Sequence, residues 1–408
     1  MMLKQARLNQ ESILNFNNIN MKSLKNIDLD NKKVLVRVDF NVPLNQDLEV
    51  KDDFRIKSHL DTIKYLKENN AKIILMSHLG KPKGREMGLS LKPIASKLEE
   101  LLSCKIKLAE DVIGERVEKM IAELDVGEIL LLENLRFYNE EEENDNEFAA
   151  SIARLGDVFV QDAFSVCHRE HASTCGIPKF LDSYAGLLLE KEIEALDKVV
   201  NDIQHPFVAL IGGAKIITKT SVIENFLKKA DAVLLGGIIA NTALKFKGIY
   251  GEEELKDNEI IEAIKDIEFD SSKLLVPIDG IISKGNYSRV GGIETIKKGE
   301  EVVDIGPKTV NYYKEIIKKA KTIVWNGPMG KIENEVFSKG TEEIVKTIAE
   351  QGVYSVIGGG ETVDFINNKK MANDFSFISS GGGAMLDYIS GKKLPGVEIL
   401  NKHYERQN

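Results

Sequence analysis

Apolar residues in this chain gather in short unbroken runs and rarely alternate with polar ones. Val34 to Val38, Lys72 to Met76, Ile129 to Leu132 and Val158 to Val160 make one series. Phe207 to Ile211, Ala232 to Leu235, Lys273 to Val276, Thr322 to Trp325, Tyr354 to Ile357 and Phe375 to Ile378 make a second. Such runs predict parallel strands covered on both faces. Between them lie helical repeats, such as Ile56, Leu60, Ile63 and Leu66, or the stretch Leu91 to Leu102. Strand and helix in turn predict an α/β fold of two doubly wound, Rossmann-like parallel-sheet domains, with ligands at the carboxyl ends of the strands. Leu187 to Val200 is helical in pattern, lies near mid-chain and carries no chemical motif, so it reads as a hinge helix joining the domains.

Composition narrows the class. A chain of 408 residues exceeds one ordinary core, which favours two domains. A net charge of -9 without a basic stripe argues against nucleic acid. Cys104, Cys167 and Cys175 have the spacing of neither a disulfide framework nor a zinc site, and fit a reducing cytoplasm. Residues 1–20 are polar and Asn-rich, with neither a secretory nor a transit pattern, and are expected to form a flexible extension. The acidic stretch Glu140 to Asn146 reads as a solvated surface loop.

Candidate chemistry falls unevenly on the two halves. The second half carries Gly212-Gly213, Gly236-Gly237, Gly358 to Gly360 and Gly381 to Gly383, and three of these clusters open helical stretches. Helix N-termini fronted by glycine offer free N–H groups to phosphates. The first half has instead cationic turns at Arg37 to Asn41, Ser77 to Lys81, Leu135-Arg136 and His168 to His171. Arg and His turns bind compact anions by charge-assisted hydrogen bonds. One half suits a nucleotide tail and the other a small polyanion, which suggests phosphoryl transfer. His171 is expected to pack or cap, and Trp325 to pack. Lys215 and Lys219, four apart, would share a face if helical.

Six blocks in register then resemble the phosphoglycerate kinase family: Val34-Leu-Val-Arg-Val-Asp-Phe-Asn-Val-Pro43, Ser77-His-Leu-Gly-Lys-Pro-Lys-Gly84, Leu132-Glu-Asn-Leu-Arg-Phe137, Asp162-Ala-Phe164 with His168-Arg-Glu-His-Ala-Ser173, Trp325-Asn-Gly-Pro-Met-Gly330 and Ser379-Ser-Gly-Gly-Gly-Ala384. The resemblance runs from about Met21 to Glu398. It implies a substrate domain over 21–186, the linker helix over 187–201, a nucleotide domain over 202–392 and a tail over 393–408 returning to the first domain.

The implied reaction is reversible transfer of the acyl phosphate of 1,3-bisphosphoglycerate to Mg-ADP, giving ATP and 3-phosphoglycerate, as in glycolysis and gluconeogenesis. By resemblance Asp39, Phe40, Asn41, Arg55, His78, Leu79, Gly80, Lys81, Arg136 and Arg169 hold the acidic substrate. Arg55, Lys215, Gly360 and Gly382 act on the transferring group. Lys215, Lys219, Gly237, Pro328, Glu333, Gly359, Gly360, Glu361 and Thr362 hold the nucleotide, with Glu361 nearest Mg2+. A cytoplasmic monomer without nucleic-acid or membrane partners is expected.

The chain departs from the family pattern at a few positions. Lys81 stands for an Arg, Ser165-Val166-Cys167 for a Gly-containing linker, and Ser380 for a Thr. Ile238 replaces a glycine, so the base slot is expected to be narrower, and Glu361 replaces an Asp. The P-loop and Gly-x-Gly-x-x-Gly motifs are absent, which excludes those nucleotide-binding classes. Glu170 after His168-Arg169 excludes the protein-kinase catalytic loop. A catalytically diverged nucleotide-binding paralogue is the remaining alternative, and Arg55, Lys215 and Lys219 stand against it.

Overall fold

The computed structural model describes the backbone of residues 13–16 and 19–407 and the side chains of 21–401. The chain divides into two compact units. One contains the residues up to Glu194 together with those from Lys393 on, and the other spans Ala195–Lys392. The division falls inside the helix Leu187–Val200.

In the first unit, β1 (Ile13–Phe16) and β2 (Ile19–Lys22) pair antiparallel. Residues 13–16, 19 and 20 were expected to belong to a flexible extension and are strands instead; the rest of 1–20 lies outside the described residues. Six further strands follow: β3 (Lys33–Arg37), β4 (Lys72–Met76), β5 (Ile106–Leu108), β6 (Ile129–Leu131), β7 (Val158–Gln161) and β8 (Ser183–Ala185). They form a wholly parallel sheet in the order β5-β6-β4-β3-β7-β8. Strand side chains point alternately to the two faces. Val34, Val36, Ile73 and Leu75 enter one core, while Leu35, Ile74 and Leu130 enter the other. Both faces are apolar because helices cover both, which is why the sequence shows runs without alternation.

The second unit repeats the plan with β9 (Phe207–Ile211), β10 (Ala232–Leu235), β11 (Leu274–Leu275), β15 (Thr322–Asn326), β16 (Tyr354–Gly358) and β17 (Phe377–Ile378). The sheet is parallel, in the order β11-β10-β9-β15-β16-β17. An antiparallel sheet of β12 (Asp279–Lys284), β13 (Tyr287–Gly292) and β14 (Glu301–Ile305) was not anticipated. β13 is polar and lies at the surface, β12 mixes buried and open positions, and the buried β14 is interrupted by Asp304, with a small cluster of Leu244, Tyr250, Ile282, Ile293, Ile296 and Val302 beneath them, so no apolar run marks them.

Chain order reverses between β3 and β7 in one sheet and between β9 and β15 in the other. A crevice opens at the carboxyl ends of strands at such a switch point. The candidate residues follow those ends: Asp39 after β3, Ser165 after β7, Gly212 after β9 and Gly327 after β15.

Candidate active site

In the first unit the switch-point crevice is floored by buried charges. Asp39, 2% exposed, accepts from Arg55 Nη1 at 2.6 Å and from Ser165 Oγ at 2.5 Å, joining β3 to β7 across the reversal. Burial would raise this carboxyl, but the Arg55 guanidinium, the Ser165 hydroxyl and the Arg37 guanidinium outweigh it and hold it well below the usual carboxylate range. Arg37 is wholly buried. It donates from Nε to Ser173 Oγ at 2.7 Å, from Nη1 to the Val38 carbonyl, and from Nη2 to His78 Nδ1 at 3.1 Å. An arginine only donates, so His78 Nδ1 is the acceptor and Nε2 carries the proton. Burial, then Arg37, push the His78 pKa well below its ordinary value; His78 is a neutral donor.

Asn41 accepts the Gly80 N–H at 2.9 Å, and Asn134 accepts from Leu79 at 3.1 Å and donates back to it at 2.8 Å. These bonds fix the turn after β4. Gly80 needs its glycine: its φ is +65°, and a Cβ there would lie 2.9 Å from Leu89. Arg136 donates to the Gly80 carbonyl at 2.8 Å and pairs with Glu142 at 2.7 Å, while its buried Nε has no partner among the described residues. Burial lowers its pKa, with Glu142 opposing and Arg169 adding to the fall. Arg169 is half-buried and bonds His168 Nε2 at 3.3 Å, and Lys81 is exposed. Phe40 and Leu79 are core side chains that can offer a ligand only their backbones.

The acidic stretch is not wholly solvated. Glu141 lies within the stretch read as a solvated loop, yet it is 0% exposed. It accepts from Ser173 Oγ at 2.5 Å and Ser173 N at 2.9 Å, anchoring the serine that meets Arg37. Burial would raise its pKa, but His171, Arg37 and Ser173 lower it. His171 caps and packs as expected: its N–H bonds Thr174 at 3.0 Å and its ring lies 3.6 Å from Glu141. Arg37, Ser173 and Glu141 were given no site role from the sequence, although Arg37 opens a cationic turn and Ser173 closes the fourth family-like block; Glu141 had no signal beyond its closeness to Arg136.

The second unit builds its crevice from backbone. Gly212 N bonds the Asn326 carbonyl at 3.0 Å and Gly213 N the Pro328 carbonyl at 2.9 Å, again across the reversal. A Cβ on Gly212 would sit 2.1 Å from the Pro328 carbonyl oxygen. Lys219 is 9% exposed and folds back onto the carbonyls of Gly212 (2.7 Å) and Asn326 (3.3 Å). Burial pushes its pKa down to about 8 against the pull of Glu361. Lys215 is exposed in an irregular bend before the 3-10 turn Ile217–Lys219, so the two lysines share no helix face.

Gly237, Pro328, Glu333 and Glu361 line one cavity of about 170 Å3 with Gly213, Ile238 and Lys331. It is smaller than the roughly 300–1,000 Å3 of common ligand pockets, a slot with Ile238 in its wall. Gly237, Gly360 and Gly383 begin the helices Gly237–Phe246, Gly360–Asn368 and Gly383–Ile389, with Gly359 and Gly382 as caps at φ +93° and +51°. Thr362 Oγ1 and Asn326 Nδ2 are buried beside this turn without partners among the described residues. Trp325 packs, its Nε1 donating to the Gly327 carbonyl at 2.7 Å. No group of three or more His, Cys, Asp or Glu placed to hold a metal occurs among the described residues.

Two switch-point crevices, one lined by buried cations and one by glycine backbone, define a two-unit α/β protein with a parallel sheet in each unit. The chain belongs to the phosphoglycerate kinase family, whose model matches residues 24–392. It is 43% identical over 386 residues to the phosphoglycerate kinase of Dictyoglomus turgidum, covering 92% of this chain and 97% of that one. To that of Aquifex aeolicus it is 42% identical over 371 residues, covering 88% and 93%. Solved phosphoglycerate kinases are similar in structure. That of Coxiella burnetii has a TM-score of 0.80 at 36% identity, and that of Pyrococcus horikoshii 0.85 at 34%. Each comparison covers 94% of this chain and 99% of the other.

Proposed function

We propose that this chain catalyses reversible phosphoryl transfer between 1,3-bisphosphoglycerate and ADP, giving 3-phosphoglycerate and ATP. The observation that carries the reading is the family match over 24–392, with every cationic and glycine-rich turn at a strand's carboxyl end. The glycerate takes the first crevice. Its charges meet Arg136, Arg169 and Lys81, and the neutral His78 donates from Nε2. Asp39 holds the Arg55 guanidinium in a fixed direction, ready to neutralise charge that develops on the transferring group.

The nucleotide takes the slot of Gly237, Pro328 and Glu333, with its phosphates toward the Gly359-Gly360 turn and Lys219. Buried Thr362 and Asn326 have hydrogen-bonding capacity to spare there. The site fits Mg2+ brought on the nucleotide phosphates, since Mg2+ usually takes one or two carboxylates and completes its shell with phosphate and water. Glu333 and Glu361 both line the cavity, and Glu361, in the first turn after Gly359-Gly360, is the carboxylate we assign to the ion, which would neutralise phosphate charge. The ADP oxygen attacks directly, so no side chain need be a nucleophile, and catalysis is positioning and charge neutralisation. We propose further that the protein acts in the cytoplasm as a monomer. A coupled assay of ATP formation from 1,3-bisphosphoglycerate by the purified protein tests the function. No turnover with Mg-ADP present would overturn it.

A further inference from the structure

His59 is a buried imidazole that the proposed chemistry leaves unused. It is 1% exposed, on the short connection between the helices Phe54–Ser58 and Leu60–Glu68, one turn past Arg55. Its Nε2 lies 2.9 Å from the Asp39 backbone nitrogen and its Nδ1 2.6 Å from Asp162 Oδ2. A backbone N–H only donates, so Nε2 is bare and Nδ1 carries the proton toward Asp162. The ring also meets Phe40 edge-on at 5.7 Å. Asp162, 0% exposed, uses its other oxygen to accept from Thr62 Oγ1 at 2.8 Å and from the Leu188 N–H at 3.0 Å. Thr62 Oγ1 accepts from Leu187 N at 3.2 Å.

We infer that His59 is a positioning residue, held by Asp162, that fixes the Asp39 backbone and thereby the direction in which Asp39 presents Arg55. Each link is a hydrogen bond, that from Asp39 to His59 made by the main-chain N–H, and the side chains involved are at most 3% exposed apart from the Arg55 end, whose side chain is 31% exposed. The same carboxylate holds the first turn of the helix Leu187–Val200, so that turn and the Arg55 pair share one anchor. A ring in the other tautomer would set two N–H groups against each other at Asp39. Only the Nδ1–H form serves, and Asp162 selects it.

The inference rests on the role proposed for Arg55, and its test separates the two. His59→Leu keeps the bulk and loses both bonds. His59→Gln has an amide that can donate to Asp162 and accept from Asp39. We expect His59→Leu to lower kcat about 10-fold, the scale of one hydrogen bond's worth of positioning. KM for phosphoglycerate and for the nucleotide should each stay within about twofold, and His59→Gln should regain most of the rate. In an Arg55→Ala background His59→Leu should have no further effect on kcat, since residues acting as a unit are non-additive. An inactive unaltered enzyme would overturn the function and this inference with it. An active one overturns the inference alone if folded His59→Leu or His59→Gln behaves otherwise, or if the two losses multiply. Should His59→Leu not fold, the His59→Gln rate and its combination with Arg55→Ala still decide.

Discussion

The two crevices occupy the same place in the same kind of sheet and are made of different material. The first is built from side chains: Arg37, Arg55, Arg136 and His78, with Asp39, Glu141 and Ser173 among them. The second is built from main chain, with glycines letting strands, helix starts and the Lys219 ammonium approach within contact of one another. A cluster of cations close enough to grip a small anion repels itself when empty, so it needs buried carboxylates to stay folded. A backbone cradle needs no counter-charge, only the absence of Cβ atoms. The first crevice should therefore fail by loss of charge and the second by gain of volume.

The largest expected effect strikes the first crevice. Arg55→Ala should lower kcat by about 10²-fold or more if the guanidinium acts mainly in the transition state. Arg169→Ala, a ground-state contact, should mainly raise KM for phosphoglycerate. Steady-state kinetics showing one pattern for both would erase the division of labour between them. In the second crevice, Gly212→Ala puts a methyl 2.1 Å from a carbonyl oxygen. It should destabilise the protein by about 1–3 kcal/mol and weaken ADP binding, with little change for phosphoglycerate. Melting and calorimetric titration with each ligand check this, and unaltered ADP affinity would show that the cradle tolerates side chains.

A smaller effect has a sign fixed by Lys219. Burial lowers its pKa to about 8 from 10.5, so between those values the unfolded chain holds a proton that the native state has released. Stability should then rise with pH across that window as far as this group governs it. ADP binding should weaken over the same range as the ammonium is lost. Lys219→Gln should flatten both slopes. Slopes of the same sign, or equal slopes in the variant, would remove Lys219 from the nucleotide site. The smallest effect concerns Glu361, one methylene longer than the Asp of the family pattern. Glu361→Asp should tighten the apparent Mg2+ requirement and leave KM for phosphoglycerate nearly unchanged. An identical Mg2+ titration would place the carboxylate away from the ion.

Much of this was legible in the chain before it was folded. The parallel strands stand out as apolar runs because both sheet faces are buried, and β4, β9 and β10 keep the limits their sequences suggest. Candidate turns could be placed at strand ends for the same reason. The antiparallel strands β12 to β14 were not legible, because polar β13 and the buried Asp279 and Asp304 of β12 and β14 leave no apolar run. Charge misled in one place: Glu141 looks like its neighbours Glu140 and Glu142, and only Ser173 and His171, from a turn some thirty residues on, and Arg37, from the end of β3, give it a buried site.

The sequence by itself determined the fold class, the division into a cationic and a glycine-rich half and the family, since these depend on local pattern and on residue types in order. Only the tertiary structure decided which cations are spoken for. It turned Lys219 inward and left Lys215 outside, paired Arg136 with Glu142, and set the tautomers of His78 and His59. Those outcomes rest on burial and on which donor meets which acceptor across strands far apart in the chain, and spacing along one segment carries no information about either.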